Sequence, residues 1–284
     1  MKIAAACFLI LFSMAVTAQP VEWSQDFNRP GLVGRVFALG TWEGDLYAGG
    51  YEFEARGSMP SRVARFDGSR WRPLIGSQGE GVSGQVRAMA VFDGELVVAG
   101  HFGGAGGVPA NGVAAWNGND WRALGGGVQL SYDVAPTVFA LEVFQGELYA
   151  GGLFDSAEGQ PVIGIARWDG STWRPVGGGI DGPYDPKVLS LEADPVAGLL
   201  YVGGEFDEAG GVAAANIAAW NGTSWQAVGS GIPGPTGSGV HALAVFQGGI
   251  CAGGNFALSS PAAARRIACF DGSEWQALGN GIPD

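Results

Sequence analysis

Seven carboxylates are the first residues of this 284-residue chain that could carry chemistry: Asp133, Asp155, Glu158, Asp181, Asp185, Asp207 and Glu208. Two carboxyl groups facing one sugar linkage suffice for glycoside hydrolysis, one protonating the leaving oxygen and the other attacking or activating water. Asp155 and Glu158, however, recur with Asp207 and Glu208 at matching places of an internal repeat, as solvated loop acids would. Two loops offer different chemistry. Tyr132-Asp133 and Tyr184-Asp185 each set an aromatic ring beside a hydrogen-bond acceptor, a pairing suited to holding a sugar or a peptide. His101 and His241 stand where other copies of the repeat carry Tyr, Leu, Glu, Asn, Phe or Arg, which reads as tolerated variation. No Gly-x-Ser-x-Gly elbow, His-Glu-x-x-His or phosphate loop is present. The residues point to no catalytic set, no metal site and no cofactor.

The elements that position these residues follow from the repeat. Phe66-Asp67-Gly68-Ser69-Arg70-Trp71 returns as Trp116 to Trp121, Trp168 to Trp173, Trp220 to Trp225 and Phe270 to Trp275, with closing Trp residues 50, 52, 52 and 50 apart. Leu148-Tyr149-Ala150-Gly151-Gly152 and Leu200-Tyr201-Val202-Gly203-Gly204 form a second landmark, and Val138-Phe139-Ala140-Leu141 and Val240-His241-Ala242-Leu243 a third. A period near 50 signals a repeat architecture. The copies run over about 36–76, 86–126, 138–178, 188–230 and 240–280, and each reads as four short strands, A to D. In the third copy these are Val138–Phe144, Glu147–Gly152, Gly164–Trp168 and Thr172–Val176. Asp-Gly and Asn-Gly between apolar runs are hairpin signals, because both residues tolerate positive φ. Strands A and B are apolar on both faces, as in Val86 to Phe92, so each sheet is expected to lie between two others. Trp71, Trp121, Trp173, Trp225 and Trp275 are expected to fill the space against the adjoining sheet.

These features resemble the kelch-type β-propeller repeat: a Gly doublet closing the second strand, an aromatic in the third and a Trp about six residues later. The aromatic-Asp-Gly-x-x-Trp form is also similar to repeats of large extracellular bacterial proteins and of Rax2-like surface proteins. The resemblance spans 36–278 and implies an all-β propeller of four-stranded antiparallel blades; it implies no particular function, since propellers host many. Ala99-Gly100 departs from the doublet, and the first copy carries an extra residue before Phe53. Glu22-Trp23-Ser24-Gln25 reads as a lone strand D near 22–26, and Asn280 to Asp284 matches Ser230 to Gly234, which leads into another strand A. A ring with at least one more blade is therefore expected, the alternative being five blades with a spare N-terminal strand.

Residues 1–18 read as a signal peptide: Lys2, an apolar stretch to Val16, and small residues before Gln19. No later stretch is long and apolar enough to span a bilayer. The remainder is expected to be secreted, periplasmic or at the cell surface. Its formal charge, −12 for the whole chain and −13 without Lys2, disfavours nucleic acid as a partner. Gly 51 and Pro 15 approach low-complexity levels, but Trp 10 and Phe 15 in register exclude disorder. In regular register Cys251 faces Cys269, and an oxidising compartment favours a disulfide over two free buried thiols. The leading functional reading is a non-enzymatic extracellular binding or scaffolding module for a glycan or protein, its ligand at Tyr132, Asp133, Asp155, Asp181, Tyr184, Asp185 and Asp207. The alternative is a carbohydrate-active enzyme using the loop carboxylates.

Overall fold

Turn chemistry sets up the sheets. Between strands A and B, Glu43-Gly44, Asp93-Gly94, Gln145-Gly146 and Gln247-Gly248 all have positive φ, 50° or 51° at the first residue and 77° to 84° at the second, the two-residue turn whose twist matches paired strands. Between C and D the expected mechanism is different. Only the Gly is left-handed there; the preceding Asp or Asn instead accepts, through its side chain, the amides of the second and third residues after it. Asp169 Oδ1 takes the Ser171 and Thr172 amides at 2.9 Å each, and Asn117 and Asn221 do the same in their own turns.

The computed structural model describes residues 32–55, 62–78, 81–131, 136–183, 185–235, 237–258 and 264–279. The N-terminal leader, the strand expected near 22–26 and residues 280–284 lie outside them. The chain is all-β among these residues, with five four-stranded antiparallel sheets, each ordered A-B-C-D. The first comprises Leu32–Trp42, Asp45–Ala55, Val63–Phe66 and Trp71–Pro73, and the second Gln85–Phe92, Glu95–His101, Val113–Trp116 and Trp121–Ala123. The third is Thr137–Phe144, Glu147–Leu153, Ile165–Trp168 and Trp173–Pro175. The fourth is Lys187–Asp194, Leu199–Glu205, Ile217–Trp220 and Trp225–Ala227, and the fifth Val240–Phe246, Gly249–Leu258, Ala264–Phe270 and Trp275–Ala277. Where an irregular B–C loop was expected, the middle three sheets hold a small hairpin, such as Ser156–Ala157 with Gln160–Pro161, turned by Glu158-Gly159 with both φ positive.

Successive sheets pack face to face through strands A and B. The Val and Leu of the fourth and fifth strands A, and Val86 and Met89 of the second, press on the preceding sheet, where Gly151, Gly203 and Gly49, each the first of a doublet, make room for them. A Cβ on Gly203 would sit 2.6 Å from Val240 Cγ1 and 3.2 Å from Leu243 Cδ1. At Gly253, the same place in the fifth sheet, its nearest neighbours would be 3.8 and 3.9 Å away. Gly203→Val should therefore cost about 3 kcal/mol and Gly253→Val under about 0.5 kcal/mol, read by urea unfolding of the two variants side by side. The second glycine of the doublet is needed for another reason. A Cβ on Gly204 would strike the Lys187 carbonyl of its own strand A.

The series does not close into a ring among the described residues. Leu39 of the first sheet is 64% exposed, whereas its counterpart Leu191 is 7%. Phe246 of the fifth is 53% exposed against 4% for Phe144. Two complementary sheet faces are thus left uncovered, one carrying the Val–Leu knob and the other the glycine notch.

The turn aspartates bear on acid stability. Hydrogen bonds from the Ser69 hydroxyl, then from the Arg70 amide and Arg72, hold Asp67 far below the usual carboxylate range; the Thr172 amide, Arg174 and Ser171 do so for Asp169. The Glu274 amide and Ser273 bring Asp271 to about 2. A carboxyl group whose folded-state pKa is depressed stabilises above its unfolded value near 3.9 and loses that contribution as pH falls through the folded value. The melting temperature should accordingly fall between about pH 4 and 2. Replacing all three with Asn, which already serves at 117 and 221, should flatten that fall.

Candidate functional site

The D–A and B–C connections meet at one end of the sheets. Val128–Gln129 pairs with Ser156–Ala157 of the next sheet, and Ile180–Asp181 with Glu208–Ala209. Each three-stranded patch joins two neighbouring sheets, so this loop face is ordered by backbone pairing.

Several of the carboxylates on it are occupied by the chain itself. Asp155 Oδ2 accepts the Ser131 amide at 2.9 Å and also its hydroxyl. Glu158 bridges two sheets, taking the Gly126 amide at 2.9 Å and the Trp173 amide at 3.0 Å. Asp181 accepts the Gly182 amide at 2.7 Å, and its carbonyl accepts the Asp207 amide at 2.9 Å. Asp185 is exposed. Tyr132, Asp133 and Tyr184 lie outside the described residues. Asp181 and Asp207 are brought to adjoining segments, and Asp207 lines a cavity of about 170 Å³ with Gly182, Glu205, Asn216, Pro235 and Ser238. Asn216 is buried there with φ of 61°, its side chain accepting the Phe206 amide and donating to the Ile232 carbonyl at 2.8 Å. It serves as a brace for the pocket wall.

A second cavity was not anticipated. In all five strands A the register slips between the Val and the residue two further on. The residue between them has no cross-strand partner, as in a β-bulge, which bends the strand and re-aims a side chain. Those five residues are Phe37, Arg87, Phe139, Leu189 and His241, one from each sheet, and together with Glu205 they line a cavity of about 340 Å³. Glu205 also lines the loop-face pocket and pairs with Lys187 at 2.9 Å. The two cavities therefore share a wall. The available signal was the variable position inside an otherwise regular Val-x-Ala-Leu.

His101 is not at either cavity wall; its Nδ1 lies 3.1 Å from Thr137 Oγ1 and helps tie the second sheet to the third. Glu142 is a carboxyl that the sequence did not single out. Burial between the third and fourth sheets pushes its pKa up, and the charge of Glu192 adds to the rise, against the pull of the Val143 amide. Among the described residues no group of three or more His, Cys, Asp or Glu is placed to hold a metal, and no helix is long and apolar enough to cross a membrane. Cys251 and Cys269 are register partners with Cα atoms 3.9 Å apart and joined sulfurs.

These features define a class: an all-β protein of repeated four-stranded antiparallel sheets, with an ordered loop face and, beside it, a cavity lined by one residue from each sheet. No family model and no curated protein matches the chain. Among solved structures it is similar to the extracellular domain of a putative hybrid two component system from B. thetaiotaomicron, at 13% identity and a TM-score of 0.55. A structure described as the extracellular domain of a putative one component system from the same organism overlaps at 12% identity and 0.55. In both cases 88% of this chain is covered but only 28% of the other, and the likeness is one of fold. The WD40 beta propeller domain of Doa1 overlaps at 0.45, with 12% identity, 80% of this chain and 66% of that one covered.

Proposed function

We propose that the five sheets are blades of a kelch-like β-propeller and that the chain is an extracellular binding module whose ligand sits at the loop-face end. One observation carries this. The residues that repeat, the Val–Leu knobs, the glycines and the Trp residues, hold sheet to sheet. The residues that vary, Phe37, Arg87, Phe139, Leu189 and His241, line the cavity. A rigid scaffold with a varied, partly apolar cavity at one end is the usual arrangement of a binding site. The extracellular setting of the similar B. thetaiotaomicron domains supports export, as does the leader-like sequence of residues 1–18. The two uncovered sheet faces support further blades of the same repeat completing the ring.

Glycan and peptide arrays probed with the exported chain test the reading. Retention of one ligand class, weakened about tenfold by Asp207→Ala through loss of an acceptor in the pocket, is the expected result. Retention that is indifferent to both Asp207 and the axial residues would remove this end of the molecule from consideration. The alternative is a carbohydrate-active enzyme using the loop carboxylates. Hydrolysis of a polysaccharide that disappears in Asp155→Asn, Asp181→Asn or Asp185→Asn would establish it over the binding reading.

A further inference from the structure

The five bulges deliver to the axial cavity one charged group that no carboxylate pairs among the described residues. The Arg87 guanidinium lies between the rings of Phe37 and Phe139, 5.0 and 5.4 Å from their centroids. Its Nη2 donates to Gln85 Oε1 at 2.8 Å, while Nε is buried and has no acceptor. Burial draws its pKa below the ordinary guanidinium value. Two ring faces recover part of that cost, but a cation taken out of water still favours a hydrogen-bonded counter-ion. The cavity's own residues do not supply one. Glu205, its one carboxylate, is engaged by Lys187, and His241 brings no negative charge. Phe37, Phe139 and Leu189 leave the remaining wall apolar.

We propose that the axial cavity binds a small organic carboxylate, its two oxygens paired with Arg87 and its apolar body held against Phe37, Phe139 and Leu189. A guanidinium suits this role because its planar fork matches a carboxylate. The proposal rests on the reading that ligands bind at the loop-face end, and it names the chemistry of one of them. A ring-sized carboxylate such as benzoate is small enough for a space of about 340 Å³.

Calorimetric titration of the full exported chain with benzoate and phenylacetate, against benzamide and phenylacetamide, tests it. The two acids should bind and the two amides should bind at least about tenfold more weakly, since loss of a charge-assisted pair costs about 10- to 100-fold. Arg87→Gln should abolish the preference for the acids, and Arg87→Lys should retain part of it. Melting curves of both variants accompany the titrations; if Gln disturbs the fold, Arg87→Met provides the neutral comparison. Equal affinity for acid and amide, undiminished binding of the acids by Arg87→Gln, or no binding of any of the four compounds overturns the proposal. An array ligand lost in Asp207→Ala but kept in Arg87→Gln would leave the loop-face reading standing while removing this site from it.

Discussion

Trp173→Ala should lower the unfolding free energy by about 3–5 kcal/mol, measured from the urea midpoint at constant slope. The side chain is buried, and its ring lies 5.5 Å from that of Trp168 on the neighbouring strand of its own sheet. Its indole Nε1 donates at 2.8 Å to the carbonyl of Leu124, the residue just after the last strand of the preceding sheet. Truncation thus opens a large cavity at a junction between sheets and removes one of two hydrogen bonds to the Leu124 carbonyl, the other coming from the Gly127 amide. Trp225 and Trp275 reach back in the same way, to the Val176 and Val228 carbonyls at 3.2 Å each. Trp121 is buried too, but its Nε1 has no acceptor. Phe substitution separates the two contributions. Trp173→Phe should cost more than Trp121→Phe by about 1 kcal/mol, the usual net worth of one hydrogen bond. Equal costs would show that packing alone holds the junction.

Reducing the Cys251–Cys269 bond should cost the fold about 3 kcal/mol, the chain-entropy expectation for a loop of this size, given a sequence separation of 18. Its position explains why a covalent link serves here. The register-equivalent pairs are Tyr47–Arg65, Val97–Ala115, Tyr149–Arg167 and Tyr201–Ala219. Tyr149 and Tyr201 are buried against the sheet that follows them. In the fifth sheet no described sheet follows, and Phe246 and Leu278 stand exposed. A Tyr there would lack its cover, whereas a cross-link needs none. Intact mass with and without reductant establishes the bond in the purified protein, and thermal melts of Cys251→Ser/Cys269→Ser give its contribution. An unchanged melting temperature would show that the B–C hairpin holds without it.

The sequence by itself determined the repeat, the order of strands and the cysteine register. Each is dictated locally: alternation and β-branched runs make the strands, two-residue turns set their pairing, and regular pairing puts Cys251 opposite Cys269. It also located the carboxylates in the B–C and D–A connections, though not their condition. Whether Asp155 and Glu158 are free to act depends on amides at Ser131, Gly126 and Trp173, which the pairing of one sheet's loops with the next brings within reach. The axial cavity depended still more on tertiary structure. A one-residue slip in strand A turns the variable residue out of the sheet face. Only the common orientation of five such slips collects Phe37, Arg87, Phe139, Leu189 and His241 from copies about 50 residues apart. Periodicity along the chain reports which residues occupy equivalent positions, because backbone hydrogen bonding is local. Which of them meet is decided by how sheets stack, and that is set by the fit of Val and Leu into glycine notches on another sheet.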